Sequence, residues 1–212
     1  MKLHDLARAG VITDDPELRH PVYDSMDNIT QLCATLAASR LLGCAQAGYD
    51  VLNARRIIDF GTGSAASAFS LGLLAERSHG SVDSLEIDTN LDWAEKIKRS
   101  GLEQELPVSV HIVDGLEWIS NRAQEGKRYD LITGCWFGPD YTGDLTKGLV
   151  SASRQALASS GLLIIYSDIA TMDSVKRACK EESVDYSPIH DSSRPFEPDM
   201  VVIRQGVASH GN

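Results

Sequence analysis

The sequence predicts an α/β fold built on a mostly parallel sheet. Three observations carry this. Strand-like apolar runs alternate with helical stretches five times, which implies right-handed crossovers. A glycine turn, Gly61-Thr62-Gly63, joins the first strand to the first crossover helix. Two strand-like runs then close the chain with no helix between them, so the last strand is expected to insert antiparallel.

In chain order, Met1 to Arg19 is polar and mixed, with Leu6, Val11, Ile12 and Leu18 as anchors. Pro21-Val22-Tyr23-Asp24 reads as an extended entry or a turn. A helix is expected from about Asp27 to Ala47, with Ile29, Leu32, Cys33, Leu36, Leu41 and Cys44 recurring at roughly helical spacing and Gly43 and Gly48 as stops. It either packs in the core or, through Tyr23 and Met26 just before it, walls a pocket. Arg56 to Phe60 is a short, isoleucine-rich buried strand. A helix follows from about Ala65 to Ser78, broken by Gly80. Ser81 to Asp88 is the second strand, and Thr89 with Asp92 fits a capping box for a helix ending near Gly101. Leu106 to Val113 is the third strand, with Val108, Val110 and Ile112 alternating with polar residues. Asp114-Gly115 opens a helix through Trp118 and Ile119. Tyr129 to Thr133 is the fourth strand, followed by a loop from Gly134 to Gly143 and a helix to about Ser159. Leu162 to Tyr166 is an apolar, central fifth strand, and Thr171 to Glu182 an amphipathic helix. Val184 to Ile189 and Met200 to Arg204 are the closing strands.

A chain of 212 residues without a Pro/Gly/Ser-rich linker suits one domain, 1–212, with a helical N-terminal cap over 1–50 and an α/β core over 55–212. The formal net charge of -10 repels phosphate backbones, which argues against a nucleic-acid partner. No apolar run spans a bilayer and no signal-peptide core stands at the N-terminus, so a cytoplasmic protein without a membrane partner is expected. Cys33, Cys44, Cys135 and Cys179 are scattered, as are the six histidines, so free thiols and no metal site are expected.

The stretch Arg56 to Ser67 has the form of a ligand cradle: a strand, a glycine turn, and a helix N-terminus whose free N–H groups favour acceptor groups. A dinucleotide site wants G-x-G-x-x-G, and here Ser64, Ala65 and Ala66 follow Gly63 instead. An ordinary βα turn is the plain alternative. In an open α/β sheet the ligand lies outside the carboxyl ends of the strands. Glu86 and Asp88 end the second strand, and a carboxylate there can accept from both hydroxyls of a ribose. Otherwise Glu86 is merely exposed and Asp88 caps a helix. Trp136 and Phe137, after the fourth strand, suggest a rigid apolar wall for an aromatic substrate or a sulfonium. Beside them Asp140 or Tyr141 could orient or deprotonate an acceptor, unless the loop merely packs. Asp168, after the fifth strand, could act as a base or bind an ammonium, or could bracket the next helix.

Asp59-Phe60-Gly61-Thr62-Gly63 resembles motif I of the class I S-adenosylmethionine-dependent methyltransferases, with Ala65 near the place of their third glycine. The likeness runs from Arg56 to about Lys180. It implies a Rossmann-like methyltransferase fold: a mostly parallel seven-stranded sheet, helices on both faces and an antiparallel terminal strand. It implies S-adenosyl-L-methionine as cofactor and S-adenosyl-L-homocysteine as product, held by Asp59, Gly61, Thr62 and Gly63, by Glu86 with Asp88 as second candidate, and by Asp114 and Gly115. In the family the acid at the place of Asp114 accepts from the adenine amine and the next N–H meets the ring; here Asp114 could instead only cap its helix. The phrases Gly61 to Phe69, Ser84 to Lys96 and Asp130 to Asp168 are most similar to small-molecule O-methyltransferases of the catechol O-methyltransferase type. Many of those bind Mg²⁺ through hard oxygen ligands, but Cys135 stands near the first such position and no Asp-Asn pair follows strand five, so no metal is expected. The resemblance implies methyl transfer to oxygen or nitrogen of a small molecule, with Asp140, Tyr141 and Asp168 as catalytic candidates. A degenerate, non-catalytic binding protein and a different adenosyl-group transferase are the alternatives, and a homodimer stands as an open expectation.

Overall fold

The structure, a computed structural model, describes residues 20–61, 65–86, 101–135, 144–166, 169–189 and 200–204. The chain forms two compact units, Met1–Val113 and Asp114–Asn212.

The first unit opens with one helical turn, α1 (Pro21–Ser25), where an extended entry or turn is expected. Proline at the first helical position fits, because its missing N–H would have no helical partner there. His20 caps the turn, its Nδ1 accepting from Val22 N at 3.2 Å. The next helix, α2 (Asn28–Gln46), starts at Asp27, whose carboxylate accepts from Thr30 N at 2.9 Å and from Thr30 Oγ1 at 3.2 Å. It runs through Gly43 and stops before Gly48, which takes φ +86°. Its buried face matches the expected one only in part, at Leu41 and Cys44. Ala34, Ala37, Ala38, Leu41, Leu42 and Cys44 are inside, while Ile29 and Leu32 are 76% and 59% exposed. Small residues bring α2 close to α3 (Ala66–Ser78), near enough for Ser70 Oγ to donate to Ala34 O at 2.8 Å. Apolar spacing alone could not see that the alanine side offers the tighter fit.

Strands β1 (Arg56–Phe60), β2 (Ser81–Glu86) and β3 (Val108–Ile112) are parallel in the order β3-β2-β1. Ile57, Ile58 and Phe60 of β1 are buried at 3% exposure or less, as a strand covered on both faces requires. Gly80 lies against β1: a Cβ there would sit 2.2 Å from Arg55 O. A short turn, α4 (Leu102–Glu105), precedes β3. From it Glu103 Oε1 accepts from Val110 N at 2.9 Å on the outer strand of the unit. Only Val108 of the alternating β3 residues is buried, and Ile112 is exposed. The expected helix of residues 89–101 falls mostly outside the described residues.

The second unit holds α5 (Gly115–Gln124), β4 (Tyr129–Cys135), α6 (Asp144–Ala156), β5 (Leu157–Tyr166), α7 (Ile169–Glu181), β6 (Tyr186–Ile189) and β7 (Met200–Arg204). β4 and β5 are parallel, and β7 lies between β5 and β6, antiparallel to both. The closing pair thus arranges itself as its missing crossover helix foretells. Two boundaries move. Gly134 and Cys135 extend β4 rather than open a loop. Helix α6 ends at Ala156, and Leu157 to Ser160 already belong to β5. The register shifts between Tyr129 and Leu131, and a Cβ at Gly161 would meet Tyr129 O at 2.7 Å. Gly161 therefore sits at a bulge inside the strand, not at a helix end. Leu162 to Tyr166 form the core of this unit at 5% exposure or less.

Candidate functional site

The candidate site grows from the end of β1. Asp59 is fully buried at 0% exposure. Its Oδ2 accepts from Ser67 Oγ at 2.9 Å and from Ser84 Oγ at 3.1 Å. Ser67 belongs to the first turn of α3, and Ser84 lies beside Asp59 in the β1–β2 register. Two residues on, Gly61 takes φ +79° and donates its N–H to Leu85 O at 2.9 Å. That φ is reached at little cost only by glycine. Ala65 enters α3 at φ +70°, with no side-chain cap on the helix among the described residues, and its carbonyl accepts from Phe69 N at 2.9 Å.

Glu86 closes β2, half-buried, and its carbonyl accepts from Val113 N at 2.9 Å. Asp114, the next residue, is exposed and caps α5: its Oδ1 accepts from Leu116 N and from Glu117 N, each at 3.0 Å. The capping alternative for Asp114 is thus real. Both bonds fall on one oxygen, and a carboxylate carries about four acceptor sites, so capping does not exhaust it. Gly115 is the buried first residue of α5. Thr62, Gly63, Asp88, Asp140, Tyr141 and Asp168, with Trp136 and Phe137, lie outside the described residues.

The N-terminal segment is tied to α2 by hydrogen bonds and meets α3 through its rings. Gln31 Nε2 donates to Tyr23 O at 2.9 Å and to Met26 O at 3.2 Å, while Tyr23 Oη and Thr35 Oγ1 share a hydrogen bond at 3.2 Å. The rings of His20 and Tyr23 lie 5.6 Å and 5.9 Å from that of Phe69, one turn into α3. The grouping of His20 and Tyr23 about Phe69 has no signal in the sequence, because nothing in their spacing aligns them before the chain folds.

Burial holds the described thiols, Cys33, Cys44 and Cys179, towards their neutral form. Burial pushes Cys44 up to about 12 and Cys179 up to about 11, and raises Cys33 against the opposing charge of Arg40. Among the described residues no group of three His, Cys, Asp or Glu could hold a metal ion. A groove of about 430 Å³ is lined by Tyr49, Asp50, Asn53 and Arg77. Among the described residues no helix is long and apolar enough to cross a membrane.

No family model matches the chain, and no curated protein matches it in sequence. Solved structures do match. The chain is 16% identical to cofactor-bound Rv0187 from MTB, covering 96% of each chain at a TM-score of 0.60. It is 15% identical to the O-methyltransferase TomG of Streptomyces achromogenes, which is involved in tomaymycin synthesis and was solved in complex with SAM. That match covers 96% of this chain and 89% of TomG, with a TM-score of 0.59. It is 14% identical to the 16S rRNA methyltransferase RsmC of T. thermophilus, in complex with AdoMet and guanosine, covering 85% of this chain and 44% of that one at a TM-score of 0.58. The fold is that of the class I methyltransferases. At such identities the likeness is one of fold, and chemistry must be argued from the site. In this methyltransferase fold Gly61 directly follows β1, Glu86 is the last residue of β2, and Asp114 comes two residues after β3. Gly61 and Glu86 stand at the carboxyl ends of parallel strands of the first unit, where an open α/β sheet presents its ligand.

Proposed function

We propose that this chain is an S-adenosylmethionine-dependent methyltransferase acting, as a single domain, on oxygen or nitrogen of a small molecule in the cytoplasm. The observation that carries the reading is the end of β1. There a positive-φ glycine and the start of α3 sit beside Glu86, a half-buried carboxylate at the end of the next strand. The donor set fits an adenosyl amino acid. Backbone N–H groups at the turn suit the carboxylate of the amino-acid end. Glu86 suits the two ribose hydroxyls. Asp114 and Gly115 are assigned to the adenine by the family resemblance. When bound, the cofactor supplies an electrophilic methyl on a sulfonium. The protein's share is to hold and orient the two reactants, and positioning alone supplies much of such a rate. Asp140, Tyr141 and Asp168 are proposed to orient the acceptor and take its proton where it carries one. The net charge of -10 favours a small acceptor over RNA, although one structure of like fold is an rRNA methyltransferase.

Calorimetry with S-adenosylhomocysteine tests this. Wild type binds, and Glu86→Ala weakens binding by about 1–3 kcal/mol, the worth of a hydrogen bond to a charged group. A wild type that does not bind the ligand overturns the reading; unchanged affinity in Glu86→Ala removes Glu86 from the site.

A further inference from the structure

We propose that Ser67 and Ser84 are positioning residues for the amino-acid half of the adenosyl cofactor, acting through Asp59. The inference rests on the methyltransferase reading above.

A carboxylate with no exposed surface is costly unless hydrogen bonds replace its water. Here the core supplies two hydroxyls from two different elements, and both reach the same oxygen. Ser84 is 0% and Ser67 4% exposed, at places where apolar side chains would bury more favourable surface. Their placement says what the cluster fastens. Asp59 lies two residues before Gly61, and Ser67 two residues after Ala65. The Asp59–Ser67 bond therefore joins the strand side of the glycine turn to its helix side. Ser84 anchors the same carboxylate to β2. Together they fix the angle at which α3 leaves β1. That angle sets where the N–H groups of the first residues of α3 stand. Asp59, being buried, needs no contact with ligand for this.

Glu86 is held independently, by the β2–β3 ladder and the bond from Val113 N to its carbonyl. Loss of the hydroxyls should thus affect the two halves of the ligand unequally. The experiment measures calorimetric affinity of wild type, Ser67→Ala and Ser84→Ala for S-adenosylhomocysteine and for adenosine, which lacks the amino-acid end. Each variant is expected to lose about tenfold in affinity for S-adenosylhomocysteine, within the range of coupling that indirect contacts carry, and to keep that for adenosine. Adenosine binding also reports that the variants are folded. Unchanged affinity for both ligands, or parallel loss of both, overturns the positioning role. A wild type that binds neither ligand instead overturns the methyltransferase reading itself.

Discussion

Substituting Asp114 by serine keeps a helix cap and removes a reach. In the native chain one oxygen of Asp114 accepts from Leu116 N and Glu117 N, each at 3.0 Å, and so satisfies two of the N–H groups that open α5. Losing such a cap altogether, as in Asp114→Ala, costs about 1 kcal/mol. In a chain of this size that lowers Tm by about 2–4 °C. Serine caps as well as aspartate, so Asp114→Ser should melt within about 1 °C of wild type. Its hydroxyl, however, is shorter and uncharged. If the carboxylate also accepts from the adenine amine, Asp114→Ser loses about tenfold in affinity for S-adenosylhomocysteine, the worth of one charge-assisted bond. Differential scanning fluorimetry and calorimetry read the two effects separately. A serine variant that melts as low as the alanine variant refutes the capping reasoning. One that binds the ligand as wild type does refutes the adenine role.

Three further substitutions test packing and charge. Ser153 is buried at 0% exposure with its Oγ lacking a partner among the described residues, so Ser153→Ala should raise stability by up to about 1 kcal/mol in urea unfolding; a lower midpoint would count against this. The Cys44 thiol is raised by burial from 9.0 to about 12, so its neutral form is favoured in the native state. Its contribution is whole below pH 9.0 and is lost as pH rises towards about 12. Cys44→Ala should flatten the alkaline fall in urea midpoint, and parallel declines in both proteins would contradict the assignment. A Cβ at Gly80 would lie 2.2 Å from Arg55 O and 2.5 Å from Arg55 Cα, so backbone must shift. Gly80→Ala should cost at least about 2 kcal/mol in thermal unfolding, and an unchanged melting temperature would show that the two strands can part without penalty.

Much of this architecture could be read from residue order, and the reasons differ from place to place. The strand β1 and the last strand, Met200–Arg204, have the bounds expected of them, because short apolar runs between turn residues leave few alternatives. The antiparallel position of β7 follows from the missing crossover helix. Boundaries failed where tertiary packing overrode local signals. Ser160-Gly161 looks like a helix stop, yet the chain is already a strand, its irregular register accommodated by glycine. Ile29 and Leu32 look like core, yet alanines take the inner face. At the candidate site the place of Glu86 at the end of β2 was legible from the strand pattern. The hydroxyls of Ser67 and Ser84 were not. They meet Asp59 only through the register of β2 and the first turn of α3, which no local motif encodes.

Glu103 has a consequence for how this molecule keeps company with others. The amide of Val110 would be an open socket for a foreign β-strand, and a carboxylate already fills it. An intruding chain must evict that acid before it can add a rung, and its own carbonyls face a negative charge while it does so. Glu103→Ala should therefore scatter more light on gentle heating than wild type, and equal scattering would mean the socket is guarded by something else. The acidity that discourages nucleic acid would then, at this one place, also discourage self-templated growth.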